Sequence, residues 1–140
     1  MRLLITTPTA LVIDDREVVA VRAEDETGSF GILKGHADFL TALTVSVVSW
    51  HHESDHQSFC AVSRGVLSVT NGNEIAIATR EAVLGDDLDH LERVVLAQFR
   101  ETVEAERSAR TEGLKLQMKA IRQILRYLRP ERPGIFGDQP

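Results

Sequence analysis

The hydrophobic period of this chain changes once, at Gly85, and that change limits the folds open to it. Before it, apolar residues come in short runs bounded by turn formers. Glu17 to Glu24 is rich in Val and lies between Asp14-Asp15 and Asp25 to Gly28. Residues 39–50 mix Leu43, Val45, Val47 and Val48 with Thr and Ser, the composition of a half-buried strand. Gly65 to Thr70 and Glu74 to Thr79 flank Asn71-Gly72. Asn-Gly between two such runs signals a hairpin, because a type I′ turn needs φ > 0 at both central residues. Short strands with no helices between them predict an antiparallel sandwich or barrel over residues 1–85.

After Gly85 the period is helical. Asp86, Asp87 and Asp89 offer an N-cap and first-turn carboxylates, which orphan N–H groups and the helix dipole favour. Leu88, Leu91, Val95, Phe99 and Val103 then recur at three- and four-residue steps. Thr111-Glu112-Gly113 reads as a helix stop. A second stripe of Leu114, Met118, Ile121, Leu125 and Leu128 follows, and Pro130 ends it. Residues 86–129 are thus expected to form an antiparallel two-helix hairpin, and the Pro- and Gly-rich residues 130–140 a disordered tail.

Charge is divided along the chain. Residues 1–85 hold 6 basic and 11 acidic side chains, whereas residues 113–140 hold 6 and 2. The net charge of −5 makes nucleic acid a poor default partner. Lys115, Lys119, Arg122, Arg126 and Arg129 each follow a position of the second stripe by one residue, so the cations form a seam beside it. Such a seam either keeps a buried stripe's flank solvated or docks on an acidic surface. Cys60 is the sole cysteine, which excludes an internal disulfide and suits a reducing compartment. The opening "MRLLITTPTALVI" has one cation and is broken by Pro8, a poor signal peptide. No run reaches the roughly 18 apolar residues of a membrane span, so membrane association is expected to be indirect.

Other constellations carry less. His51, His52 and His56, with Glu53, Asp55 and Cys60 nearby, keep open a free-standing, metal-responsive ligand-binding sandwich, although their spacing matches no strong motif. No "GxxxxGK[ST]" phosphate loop occurs. A small enzyme lacks a convergent nucleophile, base and oxyanion donor.

The stretch Gly28 to Leu43, "GSFGILKGHADFLTAL", is the most specific motif. Gly31 and Gly35 are expected to bend the chain twice. The stretch resembles the "GxFGILPGHxxLLTxL" block of the epsilon subunit of rotary F-type ATP synthases, with Lys34 in place of the usual Pro. The resemblance extends through the Asn-Gly hairpin, the "GDDLD" helix entry and the helical region. It implies a β-sandwich of about ten strands with a C-terminal helical hairpin, and a non-catalytic rotor subunit of the central stalk, peripheral on the cytoplasmic face of the cell inner membrane. By the same resemblance, Glu26, Thr27, Gly28 and Ser29 face the c subunits of the rotor ring, and His36 and Thr41 lie toward the gamma subunit. The seam Lys115, Lys119, Arg122, Arg126 and Arg129 would reach the catalytic beta and alpha subunits and inhibit ATP hydrolysis. No cofactor, metal or catalytic residue is implied. Some family members bind ATP through "[IL]DxxRA"; here Leu88-Asp89 opens that motif but Glu92 replaces its Arg, which opposes nucleotide binding.

Overall fold

In a computed structural model of the chain, residues 1–128 are described. Eight strands precede the helices: β1 (Arg2–Thr6), β2 (Leu11–Asp15), β3 (Val18–Asp25), β4 (Gly28–Leu33), β5 (Phe39–His52), β6 (Gln57–Thr70), β7 (Glu74–Ala78) and β8 (Ala82–Gly85). They form one mixed sheet in the order β2-β1-β7-β6-β5-β3-β4, with β8 against β6. β5 and β6, fourteen residues each, are shared by both layers of the sandwich. Residues 39–42 of β5 lie beside residues 66–69 of β6, which also pair with β7. Farther along, β5 pairs with β3 while residues 59–62 of β6 pair with β8. β6 changes partners at Arg64-Gly65, where both residues have positive φ.

Between the layers lies an aliphatic core: Leu3, Ile5, Val21, Ile32, Val48, Trp50, Leu67, Ile75 and Ile77 are all buried. Period-2 alternation decides this, since one residue in two faces inward along each strand. β7 shows it plainly: Ile75 and Ile77 are buried while Glu74, Ala76 and Ala78 are exposed. The expected sandwich is present, but with eight strands rather than about ten. One pairing departs from the antiparallel expectation, because β1 runs parallel to β7. The chain reaches that register only by way of the long β2–β6 excursion, which no local signal encodes.

The helical region is α1 (Leu88–His90), a π-helical stretch (Leu91–Val95) and α2 (Leu96–Leu128). Asp87 caps it: its carboxylate accepts from the Asp89 and His90 N–H groups at 3.0 and 3.4 Å. Leu91, Val95, Leu96 and Phe99 are buried with Ala61 against Val45, Val47 and Phe59. One compact unit therefore runs from Met1 to Thr102, beyond the end of the strands. The second unit begins at Val103.

The expected hairpin is replaced by one 33-residue helix that passes through Gly113. An interior Gly costs a helix only about 1 kcal/mol relative to Ala. Its neighbours outweigh that cost: Glu, Leu, Lys, Gln, Met and Ala are strong helix formers. Glu104–Arg107 and Glu106–Arg110 add pairs at i,i+3 and i,i+4, and Thr111 Oγ1 donates to the Arg107 carbonyl at 3.0 Å. The stripe Leu114, Met118, Ile121, Leu125 and Leu128, expected to be buried, is exposed along this helix. Among the described residues no helix is long and apolar enough to cross a membrane. The expected tail, residues 130–140, lies outside the described residues.

Candidate functional site: the anchored turns of the sandwich

The β3–β4 turn is held by one side chain. Asp25 Oδ1 accepts from the Thr27 N–H at 2.9 Å and from Thr27 Oγ1 at 2.5 Å. Asp25 Oδ2 accepts from Thr41 Oγ1 at 2.8 Å. These donors, Thr27 first and Thr41 next, hold the Asp25 carboxyl below its ordinary range. Glu26, Thr27 and Ser29 are exposed around it, and Gly28 supplies φ +121° at the return into β4. Thr41, expected on a separate surface, is thus tied to the same turn, with its hydroxyl directed at Asp25.

The connection from β4 to β5 is anchored to the β6–β7 turn. The Gly35 N–H donates to the Gly72 carbonyl at 2.8 Å, and the Asn71 N–H donates to Asp38 Oδ1 at 2.9 Å. Gly72 packs so closely that a Cβ there would lie 2.9 Å from Gly35 Cα. Gly35 takes φ +89°, as the chain bend requires, whereas Gly31 lies inside β4 with ordinary backbone and makes no bend. Lys34 sits in the turn and is exposed. The turn forms with Lys rather than Pro at this position because these two cross-loop hydrogen bonds constrain it. His36 Nδ1 lies 2.7 Å from the Ala37 carbonyl, which can only accept, so Nδ1 bears the proton. Its ring meets Phe39 edge-on, and Phe39 meets Phe30 in the same way, each at 5.7 Å. His36 is thus half-buried with its ring against Phe39.

Beside these turns the outer face of the sheet carries no charge over several positions. Leu40 is 71% exposed and Val66 is exposed. Ala42 pairs with Val66 and Val66 with Ala78, while Leu40 pairs with Ser68 and Ser68 with Ala76. No sequence period marks this patch as one surface, since its members come from three strands. Register alone assembles it.

Other candidates come apart. His52 Nε2 lies 3.2 Å from Asp15 Oδ2 and 3.4 Å from Ser58 Oγ, and its ring stacks obliquely on His56. Among the described residues no three His, Cys, Asp or Glu side chains are grouped to hold a metal, so the geometry does not favour the metal-responsive alternative. Cys60 is buried in β6, and burial pushes its thiol up to about 12. At the helix entry Asp89 pairs with Arg93 at 2.7 Å, while Glu92 lines a groove with Arg22, Glu24 and Arg100. Along α2, Lys115, Lys119, Arg122 and Arg126 are exposed. Arg129, the last member of the expected seam, lies outside the described residues.

The chain is similar to known proteins over most of its length. Residues 1–85 match the family model described as the beta-sandwich domain of the ATP synthase delta/epsilon chain. The "ATP synthase epsilon chain 2" of Paraburkholderia xenovorans strain LB400 is 48% identical over 132 residues, covering 94% of this chain and 95% of that protein. A protein of the same name in Cereibacter sphaeroides is 39% identical over 128 residues, covering 91% and 88%. In fold, the chain is similar to one in a Euglena gracilis mitochondrial ATP synthase OSCP/F1/c-ring structure, with TM-score 0.57, 22% identity and coverage of 76% of this chain and 62% of that one. It is also similar to one in the central stalk/c-ring of Tetrahymena thermophila mitochondrial ATP synthase, with TM-score 0.53, 16% identity and coverage of 74% and 90%.

Proposed function

The chain belongs to the epsilon-chain family of ATP synthase, a non-catalytic subunit of a membrane complex, and from that premise we propose that it joins the gamma subunit to the rotor ring at the cytoplasmic face of the cell inner membrane. A coupling subunit must carry torque without deforming. The observation that carries the reading is the double anchoring of the exposed turns. Asp25 binds Thr27 and Thr41, while Gly35 and Asp38 bind the Asn71-Gly72 turn. Groups fixed in this way present a surface at little further ordering cost.

Three contact surfaces are assigned on this reading. Glu26, Thr27, Gly28 and Ser29 meet the polar loops of the rotor-ring c subunits. The segment from His36 to Thr41 meets gamma. Thr41 itself acts by holding Asp25, and Leu40, on the outer face beside Ala42 and Val66, supplies the apolar contact. The basic seam of Lys115, Lys119, Arg122, Arg126 and Arg129 meets acidic segments of the catalytic beta and alpha subunits and restrains ATP hydrolysis. Supporting it are the exposed stripe and the exposed cations of α2, which together offer an amphipathic, positively charged face. Residues 1–85 are assigned the sandwich and residues 86–129 the regulatory arm.

Affinity capture of a tagged chain from its native cells tests the reading. Recovery of gamma and ring subunits is expected. Recovery of neither overturns it. A Leu40→Asp chain that folds normally is expected to lose gamma while an exposed change elsewhere, such as Glu53→Gln, keeps it.

A further inference from the structure

Among the described residues β2, β4, β8 and the first four residues of β5, which pair with β6 alone, have a free edge, and only the four-residue stretches of β5 and β8 are short. β2 carries Asp14, paired to Arg2 at 2.9 Å, and Asp15, which faces His52. β8 has four residues, and Gly85 at its end packs under Leu91. Charges and shortness are the usual means of keeping an edge from pairing. β4 has neither. Its six residues, "GSFGIL", contain no charge and no Pro, and its pairing to β3 runs without a bulge from Leu33↔Ala20 to Gly28↔Asp25. In an antiparallel edge strand, about half of the N–H and C=O groups point away from the neighbour and stay unpaired.

We propose that β4 is the site at which two copies of this chain associate, edge to edge and antiparallel about a two-fold axis, to make one continuous sheet. The occupant is argued from the sequence that brackets the strand. β4 has Glu26 before it and Lys34 after it, both exposed and neither in an ion pair among the described residues. Side-chain alternation admits only registers that set inward residues opposite inward residues, because a one-residue slip reverses the faces. Among these, the register that places Phe30 opposite Phe30 sets Gly28 opposite Ile32 and carries Lys34 of each copy to the end of the other's β4, where the chain turns back through Glu26. A two-fold axis repeats that arrangement at both ends.

The pairing needs only this chain, so it stands apart from the proposed contacts in the complex. It covers the same turn, Glu26 to Ser29, that those contacts use, which makes the pair a state of the unassembled chain. Few residues are joined, fewer than a standard interface requires, so the association is weak and rises with concentration.

Sedimentation equilibrium of the full-length chain over a roughly hundred-fold concentration range tests this. The mass is expected to climb from monomer toward dimer, and amide exchange at residues 28–33 is expected to slow as it does. Gly31→Lys places a charge on the edge. Gly31 has ordinary backbone and nothing nearer than 3.9 Å to a new Cβ, so the fold accepts it. That variant and Lys34→Glu are each expected to weaken association about tenfold, and the double variant Glu26→Lys/Lys34→Glu to regain it. Circular dichroism checks that each remains folded. A chain that stays monomeric overturns the proposal. So does association that ignores Gly31→Lys, association that slows exchange along residues 114–128 in place of β4, or a double variant that fails to recover.

Discussion

Thr41 and Asp25, sixteen residues apart in sequence, are joined by a 2.8 Å hydrogen bond from the Thr41 hydroxyl to Asp25 Oδ2. The same carboxylate organises the β3–β4 turn through Thr27. Thr41→Val removes the hydroxyl with little change of shape. Faster amide exchange at residues 26–28 is expected, with the sandwich otherwise folded. Asp25→Asn keeps one acceptor oxygen but turns the other position into a donor, so it should hold only one of the two threonines and loosen the turn. If residues 26–29 form the rotor-ring contact, either variant weakens capture of ring subunits more than capture of gamma.

The same carboxylate contributes a pH dependence with a definite sign. Asp25 and Asp14 both titrate below their ordinary value, Asp25 through Thr27 and Thr41 and Asp14 through Arg2. A depressed native pKa contributes stability above the ordinary carboxylate range, and that contribution is lost as pH falls through the native value. Thermal melts below about pH 4 are therefore expected to drop less steeply for Asp25→Asn than for the parent chain.

Cys60 acts at the other end of the scale. Its thiol is pushed up to about 12 by burial. The unfolded chain then ionises first as pH rises, so stability is whole below the ordinary thiol pKa and declines above it. Cys60→Ala is expected to flatten the alkaline limb of the melting curve. In the native parent at neutral pH, a thiol reagent should label Cys60 only as fast as the chain opens.

Arg64 and Gly65 are neighbours with opposite expected effects. Gly65 has φ +145°, and a Cβ there would lie 2.3 Å from the Ala78 carbonyl oxygen. Gly65→Ala should cost about 3 kcal/mol or prevent folding, since backbone must move. Arg64 has φ +63° with an exposed side chain, while its carbonyl accepts from Thr79 Oγ1. Arg64→Gly keeps that carbonyl and should stabilise by about 1 kcal/mol. Denaturant midpoints measure both.

Two truncations test where the first compact unit ends. Removing residues 103–140 leaves Leu91, Val95, Leu96 and Phe99 in place over Ala61 and Phe59. A chain ending at Thr102 should fold cooperatively. Ending at residue 85 uncovers that second cluster, and a lower melting point with dye binding to exposed apolar surface is expected. Neutralising Lys119, Arg122 and Arg126 together in the assembled complex should raise ATP hydrolysis. Unchanged hydrolysis assigns the seam to solvation alone.

Local chemistry determined much of this protein. Alternation placed Ile75 and Ile77 inward, Asn71-Gly72 made its turn, Asp87 capped the helix, and the Gly28–Leu43 motif carries the family resemblance. These features act over a few residues, where torsional preference and hydrophobic period dominate. Tertiary structure decided the rest. The parallel β1–β7 pair, the Asp25–Thr41 bond, the Gly35–Gly72 contact and the neutral face of Leu40, Ala42 and Val66 all join segments distant in sequence, and the register that joins them is set by packing of the whole core. Gly113 shows the converse. A single weak stop is overridden when every neighbour favours helix, because propensity is summed over turns and not read at one residue.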